Sequence, residues 1–128
     1  MLRVSAFAGK GRGVEATRAI AGGTVMERAP ALRLPGHQRQ LIDQTDLFPY
    51  YFAEPAAFAA GAAYDCLMAF GCLTCCNHAD DPNAAVTWTE DAIGLWAELH
   101  ALKHIAEAEE VTLRYTNISE YRAADLII

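Results

Sequence analysis

Three separated segments of this 128-residue chain combine residue types that could bind a ligand or take part in a reaction. The first is Gly9-Lys10-Gly11-Arg12-Gly13, in which glycines alternate with two cations. Glycine lets a backbone turn sharply and approach a ligand closely. A dinucleotide-binding motif would need the spacing G-x-G-x-x-G before a long helix, whereas a strand-like segment follows here. The segment therefore predicts either a backbone that contacts a ligand or an ordinary glycine-rich turn.

The second segment is a polar loop in which Asn77-His78 is followed by Pro82-Asn83. Asparagine and histidine offer both hydrogen-bond donors and acceptors, which suits a polar ligand. A Pro-Asn pair is typical of a turn. Taken alone, the segment favours a capped loop with a hydrogen-bonded histidine in the core.

The third segment is an acidic turn that leads into a strand and ends in a tyrosine. Glu107, Glu109 and Glu110 precede Val111–Tyr115, where apolar and polar residues alternate with period two. A tyrosine hydroxyl can hydrogen-bond a reacting group. On its own, Tyr115 is more typical of a half-buried aromatic residue in a strand.

The four cysteines lie within eleven residues, which raises the question of a metal site. Cys72-x-x-Cys75 has a spacing found in zinc sites, and His78 would be a third ligand. Structural zinc needs four ligands, usually from two such pairs, and the sequence has no second pair. The other two cysteines are Cys66 and Cys76, and the adjacent pair Cys75-Cys76 argues against a disulfide framework. We therefore expect reduced cysteines that pack as small hydrophobic residues, and no metal.

The elements that would position these segments are predicted to be short strands with one helical insert. The insert spans about residues 37–64, where prolines and aromatic residues favour short helices and turns. Ser119 is a candidate cap for a final helical turn over residues 119–124. The pattern predicts a single α+β or mainly β domain over residues 1–128. Strands are predicted at Val14–Ala16, Val25–Ala29, Ala31–Leu34, Ala85–Thr89, Ile93–Ala97 and Val111–Tyr115.

Composition and charge limit the classes of function. The chain is 53% hydrophobic and 20% charged, which is typical of a globular protein. Its net charge of −6 argues against nucleic-acid binding, which needs clustered lysine and arginine. No apolar run reaches about 18 residues, the length of a membrane span, and the first residues lack the apolar core of a signal peptide. We therefore expect a cytoplasmic protein with no membrane or nucleic-acid partner.

Together the three segments resemble the SET domain, and they occur in the same order along the chain. The matching patterns are Gly-x-Gly-x-Gly-Val from Gly9, Asn-His-x-x-x-Pro-Asn from Asn77 and Glu-Glu-Val-Thr-x-x-Tyr from Glu109. The resemblance covers about residues 3–117. It indicates a compact, stand-alone member, because the cysteine-rich zinc segment that many members carry after the domain is missing.

Three positions depart from the residues usual in the family. Ala79 replaces a serine, Ala108 replaces a glycine, and Thr116 replaces a glycine after the tyrosine. Without a zinc segment, the resemblance implies that the tail over residues 118–128, with Tyr121, closes the site, or that a second copy of the chain does so in a homodimer.

The resemblance implies a mainly β (α+β) fold of several short sheets with a helical insert and a threaded, knot-like C-terminal segment. It also implies transfer of a methyl group from S-adenosyl-L-methionine to a lysine side chain of a protein substrate. The residues that would bind the cofactor on this basis are Lys10, Gly11, Arg12, Asn77, His78 and Tyr121.

A narrow channel is implied through which the lysine would reach the methyl group, with cofactor and peptide entering from opposite faces. Tyr115 is then the candidate catalytic residue, which would orient the amine and polarise the transferring methyl group. It is not expected to act as a general base, because a tyrosine pKa near 10 keeps it mostly protonated at neutral pH. The implied walls of the channel are Tyr51, Phe52, Tyr115 and Tyr121.

Two other functions stay open at the level of the sequence. A SET-like module with little catalysis would bind a basic segment of a partner protein, and the departures at Ala79 and Ala108 leave room for this alternative. The third alternative is a structural protein whose motifs match by accident. Binding of S-adenosylmethionine distinguishes the methyltransferase from the peptide-binding module, since the module need not bind it.

Overall fold

The computed structural model describes residues 1–61 and 63–124, and strands dominate its regular structure. This confirms the prediction of a mainly β (α+β) fold, whereas the threaded C-terminal segment stays a prediction. None of the described helices is long and apolar enough to cross a membrane. The strands are β1 (Leu2–Phe7), β2 (Gly11–Ala16), β3 (Val25–Leu34), β4 (Phe52–Ala53), β5 (Cys66–Ala69), β6 (Asn77–His78), β7 (Ala84–Glu90), β8 (Leu95–Ala101) and β9 (Glu110–Leu113). The helices are α1 (Gly36–Ile42), α2 (Pro55–Ala59) and α3 (Ile118–Ala123), with 3-10 helices at Phe48–Tyr50 and Cys72–Cys75.

The first sheet has the strand order β1-β2-β9-β6 and joins the three segments that carry the candidate chemistry. β2 contains most of the glycine-rich segment and pairs antiparallel with β9, with Val14 opposite Val111. β6 consists of Asn77 and His78 and runs parallel to β9 on its other edge. β1 has no buried side chain, so its residue pattern gives no strand prediction. Segments far apart in the sequence therefore lie side by side on three neighbouring strands.

The second sheet has the order β4-β5-β3-β8-β7, with the longest strand, β3, at its centre. The sequence predicts two strands divided at Pro30, but β3 continues through this residue. The Pro30 carbonyl accepts the N–H of Phe70, while the register with β5 begins at Ala31. Because the nitrogen and carbonyl of a strand residue point the same way, the nitrogen of Pro30 faces the end of the β5 ladder. A missing N–H is tolerated at such a position.

One strand starts later than predicted, because a turn between β7 and β8 takes up its first two residues. The sequence predicts a strand over Ile93–Ala97, whereas β8 starts two residues later and continues to Ala101. The Asp91 carboxylate accepts the N–H groups of Ile93 and Gly94 and holds these residues in the turn. The backbone of Gly94, with a φ of 148°, suits glycine alone among the common residues.

The chain after β9 also differs from its prediction. β9 ends at Leu113, so Tyr115 lies beyond the strand rather than within it. The sequence predicts Ser119 as a helix cap, but α3 begins at Ile118, which places Ser119 inside the helix. Of the predicted closing tail over residues 118–128, residues 125–128 lie outside the described part of the chain.

The insert over residues 37–64 packs as a second, smaller cluster beside the main core. Its centre is a polar network in which the Tyr51 hydroxyl donates to Asp43 at 2.8 Å and the Tyr64 hydroxyl donates to Glu120 of α3 at 2.5 Å. Burial raises the pKa of Tyr64 to about 12, so its phenol keeps the proton that makes this contact. The network ties the insert to the C-terminal helix. The largest fully buried apolar side chains of the main core are Val14, Leu73, Leu99, Ile105 and Val111.

Candidate functional site

Gly13 of β2 packs directly against polar side chains of β6 and β9. A Cβ atom at Gly13 would stand 2.7 Å from Asn77 Nδ2 and 2.8 Å from Glu110 Oε2, so a larger residue would force these side chains to shift. The Asn77 amide donates to Glu110 at 2.8 Å and to the Arg12 carbonyl at 3.1 Å. Asn77 therefore fixes the glycine-rich segment to the strand that follows the acidic turn.

Two cations of the glycine-rich segment are held beside this contact. Lys10 Nζ lies 2.7 Å from Glu110 Oε1, and the Arg12 guanidinium donates to the Tyr50 hydroxyl at 3.0 Å. Tyr50 comes from the insert, so Arg12 bridges the first sheet and the insert. The two positive charges therefore lie at the start of β2, on either side of Gly11.

His78 is buried, and both of its ring nitrogens are bound within the protein. Nδ1 accepts the backbone N–H of Tyr115 at 2.9 Å, while Nε2 lies 2.9 Å from the Asp80 carboxylate. Because Nδ1 accepts, the neutral ring carries its proton on Nε2 and donates it to Asp80. This hydrogen bond lowers the pKa of the Asp80 carboxyl. A ligand contact from His78 would therefore fall to its backbone, while its ring positions Tyr115.

Tyr115 is half-buried, and its hydroxyl donates to the carbonyl of Cys76. Burial raises the pKa of this phenol above the ordinary value of about 10, so it is protonated at neutral pH. The ring meets Tyr121 edge-on, with a centroid separation of 5.5 Å. Tyr115 thus stands as a fixed neutral donor, which fits an orienting role and not that of a base.

Two cavities meet at Tyr115. The glycine cavity has a volume of about 280 Å³ and is bounded by Lys10, Gly11, Arg12, Cys75 and Asn77 together with the shared wall. The aromatic cavity has a volume of about 200 Å³ and is bounded mainly by apolar and aromatic side chains. The wall that both cavities share consists of Pro49, Tyr50, Thr74, Cys76 and Tyr115.

The four residues predicted for a lysine channel all lie in the wall of the aromatic cavity. Tyr51 turns its hydroxyl away toward the insert, while Phe52 packs edge-on against Trp88 at 5.3 Å. Tyr121 is 1% exposed and donates its hydroxyl to the Phe48 carbonyl at 3.2 Å. Although the sequence also assigns Tyr121 to the cofactor, the structure places it in the wall of the aromatic cavity and not in that of the glycine cavity.

Sequence reasoning missed several wall residues. Tyr50 belongs to the aromatic run of the insert, which was a usable signal, but nothing in the spacing connects it to Arg12. Trp88 lies in a correctly predicted strand without any hint of a site. Asn117 carries no sequence signal that separates it from ordinary loop residues. Cys75 belongs to a spacing that indicates a metal site and not the wall of a cavity.

The cysteines pack as thiols. All four are free, and burial raises the pKa of Cys66 to about 11 and that of Cys76 further. Within residues 1–61 and 63–124, no group of three or more His, Cys, Asp and Glu side chains is arranged to hold a metal ion.

Comparisons with known proteins connect this arrangement to one family. The SET domain family model matches residues 11–116. A solved structure from Plasmodium falciparum, described as a candidate histone methyltransferase, is 18% identical with a TM-score of 0.66, and the match covers 90% of this chain and 96% of that one. A Neurospora SET domain protein, a histone lysine methyltransferase, is 21% identical with a TM-score of 0.66, and the match covers 89% of this chain and 51% of that one. No curated protein gives a significant sequence match.

Proposed function

The chain belongs to the SET domain family, and on that basis we propose that it is a protein-lysine methyltransferase that uses S-adenosyl-L-methionine. The family match includes β2, β6 and β9, which carry the three segments with candidate chemistry. The observation that carries the proposal is the meeting of the glycine cavity and the aromatic cavity at Tyr115. Such an arrangement lets a cofactor and a lysine side chain approach each other from two sides of one residue.

The residues of the glycine cavity fit this cofactor. Its amino-acid end carries a carboxylate, for which Lys10 and Arg12 supply positive charge. Gly11 has a φ of 73° and no atom near the place of a Cβ, which leaves its backbone open to a ligand. The bound cofactor would supply a methyl group made electrophilic by its sulfonium. Asn77 would act mainly by holding the Arg12 backbone in place.

The walls of the aromatic cavity suit the side chain of a lysine that must react as a neutral amine. Free lysine has a pKa near 10.4, and an apolar environment disfavours its charged form. Phe52 and Trp88 supply apolar surface, and the Tyr121 hydroxyl is already occupied by a backbone carbonyl. Entry into this cavity would therefore lower the pKa of the lysine.

Tyr115 would align the reacting groups at the junction of the two cavities. Its hydroxyl position is set by the Cys76 carbonyl, and its backbone is set by His78. Alignment of a nucleophile with an electrophile accounts for much of the rate enhancement available to such a transfer. The same rigidity would exclude side chains that cannot extend to this point.

The direct test is transfer of a labelled methyl group from S-adenosylmethionine to proteins of a cell lysate, followed by mass spectrometry of the modified residues. We expect methylated lysines that are absent when the protein is omitted. Methyl groups on other residue types would overturn the substrate assignment. Binding of the cofactor is measured in parallel by calorimetry, because a peptide-binding module would show no transfer and need not bind the cofactor.

A further inference from the structure

Glu27 lies on β3, outside the walls of both cavities, and its carboxylate accepts two backbone N–H groups. Oε2 accepts the N–H of Cys72 at 3.0 Å, and Oε1 accepts that of Leu73 at 2.8 Å. These residues begin the 3-10 helix Cys72–Cys75, and the first N–H groups of a helix lack partners within it. Hydrogen bonds to a carboxylate are about twice as strong as neutral ones. Glu27 therefore fixes the start of this helix across 45 residues of sequence.

Gly71, the residue before this helix, makes room for the Glu27 carboxylate. A Cβ atom at Gly71 would stand 2.9 Å from the Ala29 side chain and 3.0 Å from both Cδ and Oε1 of Glu27. The backbone of Gly71 is extended, with a φ of −166°, so close packing and not backbone conformation calls for glycine here. A larger residue at this position would force the carboxylate to shift.

The helix that Glu27 fixes leads into the wall between the two cavities. Thr74 and Cys76 border both cavities. Cys76 directly follows the helix, and its N–H donates to the Leu73 carbonyl at 3.2 Å. The Cys76 carbonyl in turn accepts the hydroxyl of Tyr115. A series of three hydrogen bonds therefore connects the Glu27 carboxylate, through Leu73 and Cys76, to the hydroxyl at the junction of the cavities.

The position of the Cys76 carbonyl determines how the Tyr115 hydroxyl is oriented. The ring of Tyr115 packs against Tyr121 and its backbone N–H is bound by His78, so the acceptor sets the rotation of the O–H bond. With its one donor directed at Cys76, the phenol oxygen keeps its lone pairs for the amine of a lysine. A displacement of about 1 Å at a reacting group can lower the rate about a hundredfold. Alignment at Tyr115 therefore depends on how firmly Cys76 is held.

We propose that Glu27 is a positioning residue for methyl transfer, which acts through the Cys72–Cys75 helix on the Cys76 carbonyl and so on the Tyr115 hydroxyl. The proposal rests on the proposed function, because it takes Tyr115 as the residue that aligns the reacting groups. Glu27 borders neither cavity, so its influence on the reaction passes through hydrogen bonds within the protein.

The first test measures kcat with saturating S-adenosylmethionine and poly-L-lysine in Glu27→Gln, Tyr115→Phe and the double variant. Glutamine offers one acceptor oxygen where two N–H groups need one each. We expect Glu27→Gln to lower kcat about fivefold, less than Tyr115→Phe does, because the hydroxyl is misaligned but still present. In the Tyr115→Phe background the same substitution should change kcat by less than about twofold, since substitutions within one hydrogen-bond network are not additive. An unchanged kcat in Glu27→Gln, or an equal loss in both backgrounds, overturns the proposal.

Asp91→Asn is the matched control for Glu27→Gln. Asp91 also accepts two backbone N–H groups, those of Ile93 and Gly94, but it lies in the turn after β7 and borders neither cavity. The substitution removes the same charge and likewise exchanges a carboxylate for an amide. Turnover should stay at the wild-type level in this variant. A loss as large as that in Glu27→Gln would assign both effects to the change in charge and overturn the proposal.

The second test does not depend on transfer. The carbonyl carbon signal of Cys76 is followed by NMR, because this signal moves upfield when the carbonyl loses a hydrogen bond. We expect it to move upfield in Tyr115→Phe and in Glu27→Gln, and to stay in place in Asp91→Asn. Methyl transfer by the wild type together with an unmoved signal in Glu27→Gln overturns the role of Glu27 and leaves the proposed function standing. A moved signal without transfer by the wild type overturns the proposed function, and with it the effect of Glu27 on the reaction.

Discussion

Tyr115 donates its backbone N–H to Nδ1 of His78 over 2.9 Å, across a separation of 37 residues in the sequence. The hydroxyl at the other end of Tyr115 donates to the carbonyl of Cys76. Between these two contacts lies Asn77, which holds the glycine-rich segment. Residues 76–78 therefore position both the candidate catalytic tyrosine and the backbone of the glycine cavity.

Replacement of His78 tests this positioning role. His78→Leu leaves the buried N–H of Tyr115 unpaired, and we expect the free energy of unfolding to fall by about 1–3 kcal/mol, with a drop in turnover. His78→Asn keeps an acceptor oxygen close to the place of Nδ1 and should recover much of both losses. Urea unfolding and the transfer assay measure the two quantities. Equal effects of the two substitutions would show that the acceptor is not what matters.

Tyr115→Phe tests the chemical role of the hydroxyl. The ring and its contact with Tyr121 remain, so the fold should persist, while turnover should fall at least about tenfold, or about 1.4 kcal/mol in the barrier. Tyr64→Phe is the matched control, because Tyr64 is a buried tyrosine outside both cavities. Wild-type turnover in Tyr115→Phe on a verified substrate would remove Tyr115 from the chemical step.

The local residue pattern predicted several strands but not how the strands pair. The alternation around Val86 and Trp88 predicts β7 well, because one face of that strand is more buried than the other. β1 escapes prediction because it buries no side chain. The order β1-β2-β9-β6 depends on contacts between distant segments, such as Asn77 with Arg12 across 65 residues, and no local propensity encodes them.

The candidate site was likewise predicted only in part. Resemblance of three motifs to one family points to Tyr115, Asn77 and the glycine-rich segment, which the structure indeed brings together. The ring of His78 is turned inward and accepts the backbone N–H of Tyr115. A motif cannot reveal this orientation, because a histidine ring can bind either a ligand or a backbone N–H of its own protein.

Gly13→Ala tests the close packing beneath the glycine cavity. The added methyl group would stand 2.7 Å from Asn77 Nδ2, 2.7 Å from the Phe7 ring and 2.8 Å from Glu110 Oε2, so these side chains must shift. Such a shift disturbs the hydrogen bonds by which Asn77 holds the glycine-rich segment. We expect the Kd for S-adenosylmethionine in calorimetry to rise at least about tenfold, or about 1.4 kcal/mol.

Gly22→Ala is the control for that experiment. Its added methyl group would stand 3.2 Å from the backbone of Lys103, a milder contact in a turn that borders neither cavity. Cofactor affinity should stay at the wild-type level in this variant. Equal loss of affinity in both variants would assign the effect of Gly13→Ala to general destabilisation.

Substitutions of Tyr121 distinguish two roles for this residue, a wall of the lysine channel and a packing residue of the core. Its ring packs against Phe48 at 4.9 Å and Tyr115 at 5.5 Å, and its hydroxyl reaches the Phe48 carbonyl. Tyr121→Phe keeps the ring and loses one bond, so the free energy of unfolding should fall by about 1 kcal/mol with transfer largely kept. Tyr121→Ala opens a void and should cost about 3–5 kcal/mol.

The activity of Tyr121→Ala, measured at a temperature where it is folded, decides between the two roles. A channel wall predicts a higher KM for poly-L-lysine, because the widened cavity no longer confines the lysine. A core filler predicts an unchanged KM and a reduced fraction of active protein. Deletion of residues 119–128 removes Tyr121 together with Glu120, the partner of Tyr64, and should be at least as damaging as Tyr121→Ala. Full transfer activity in the deletion variant would show that neither role is needed.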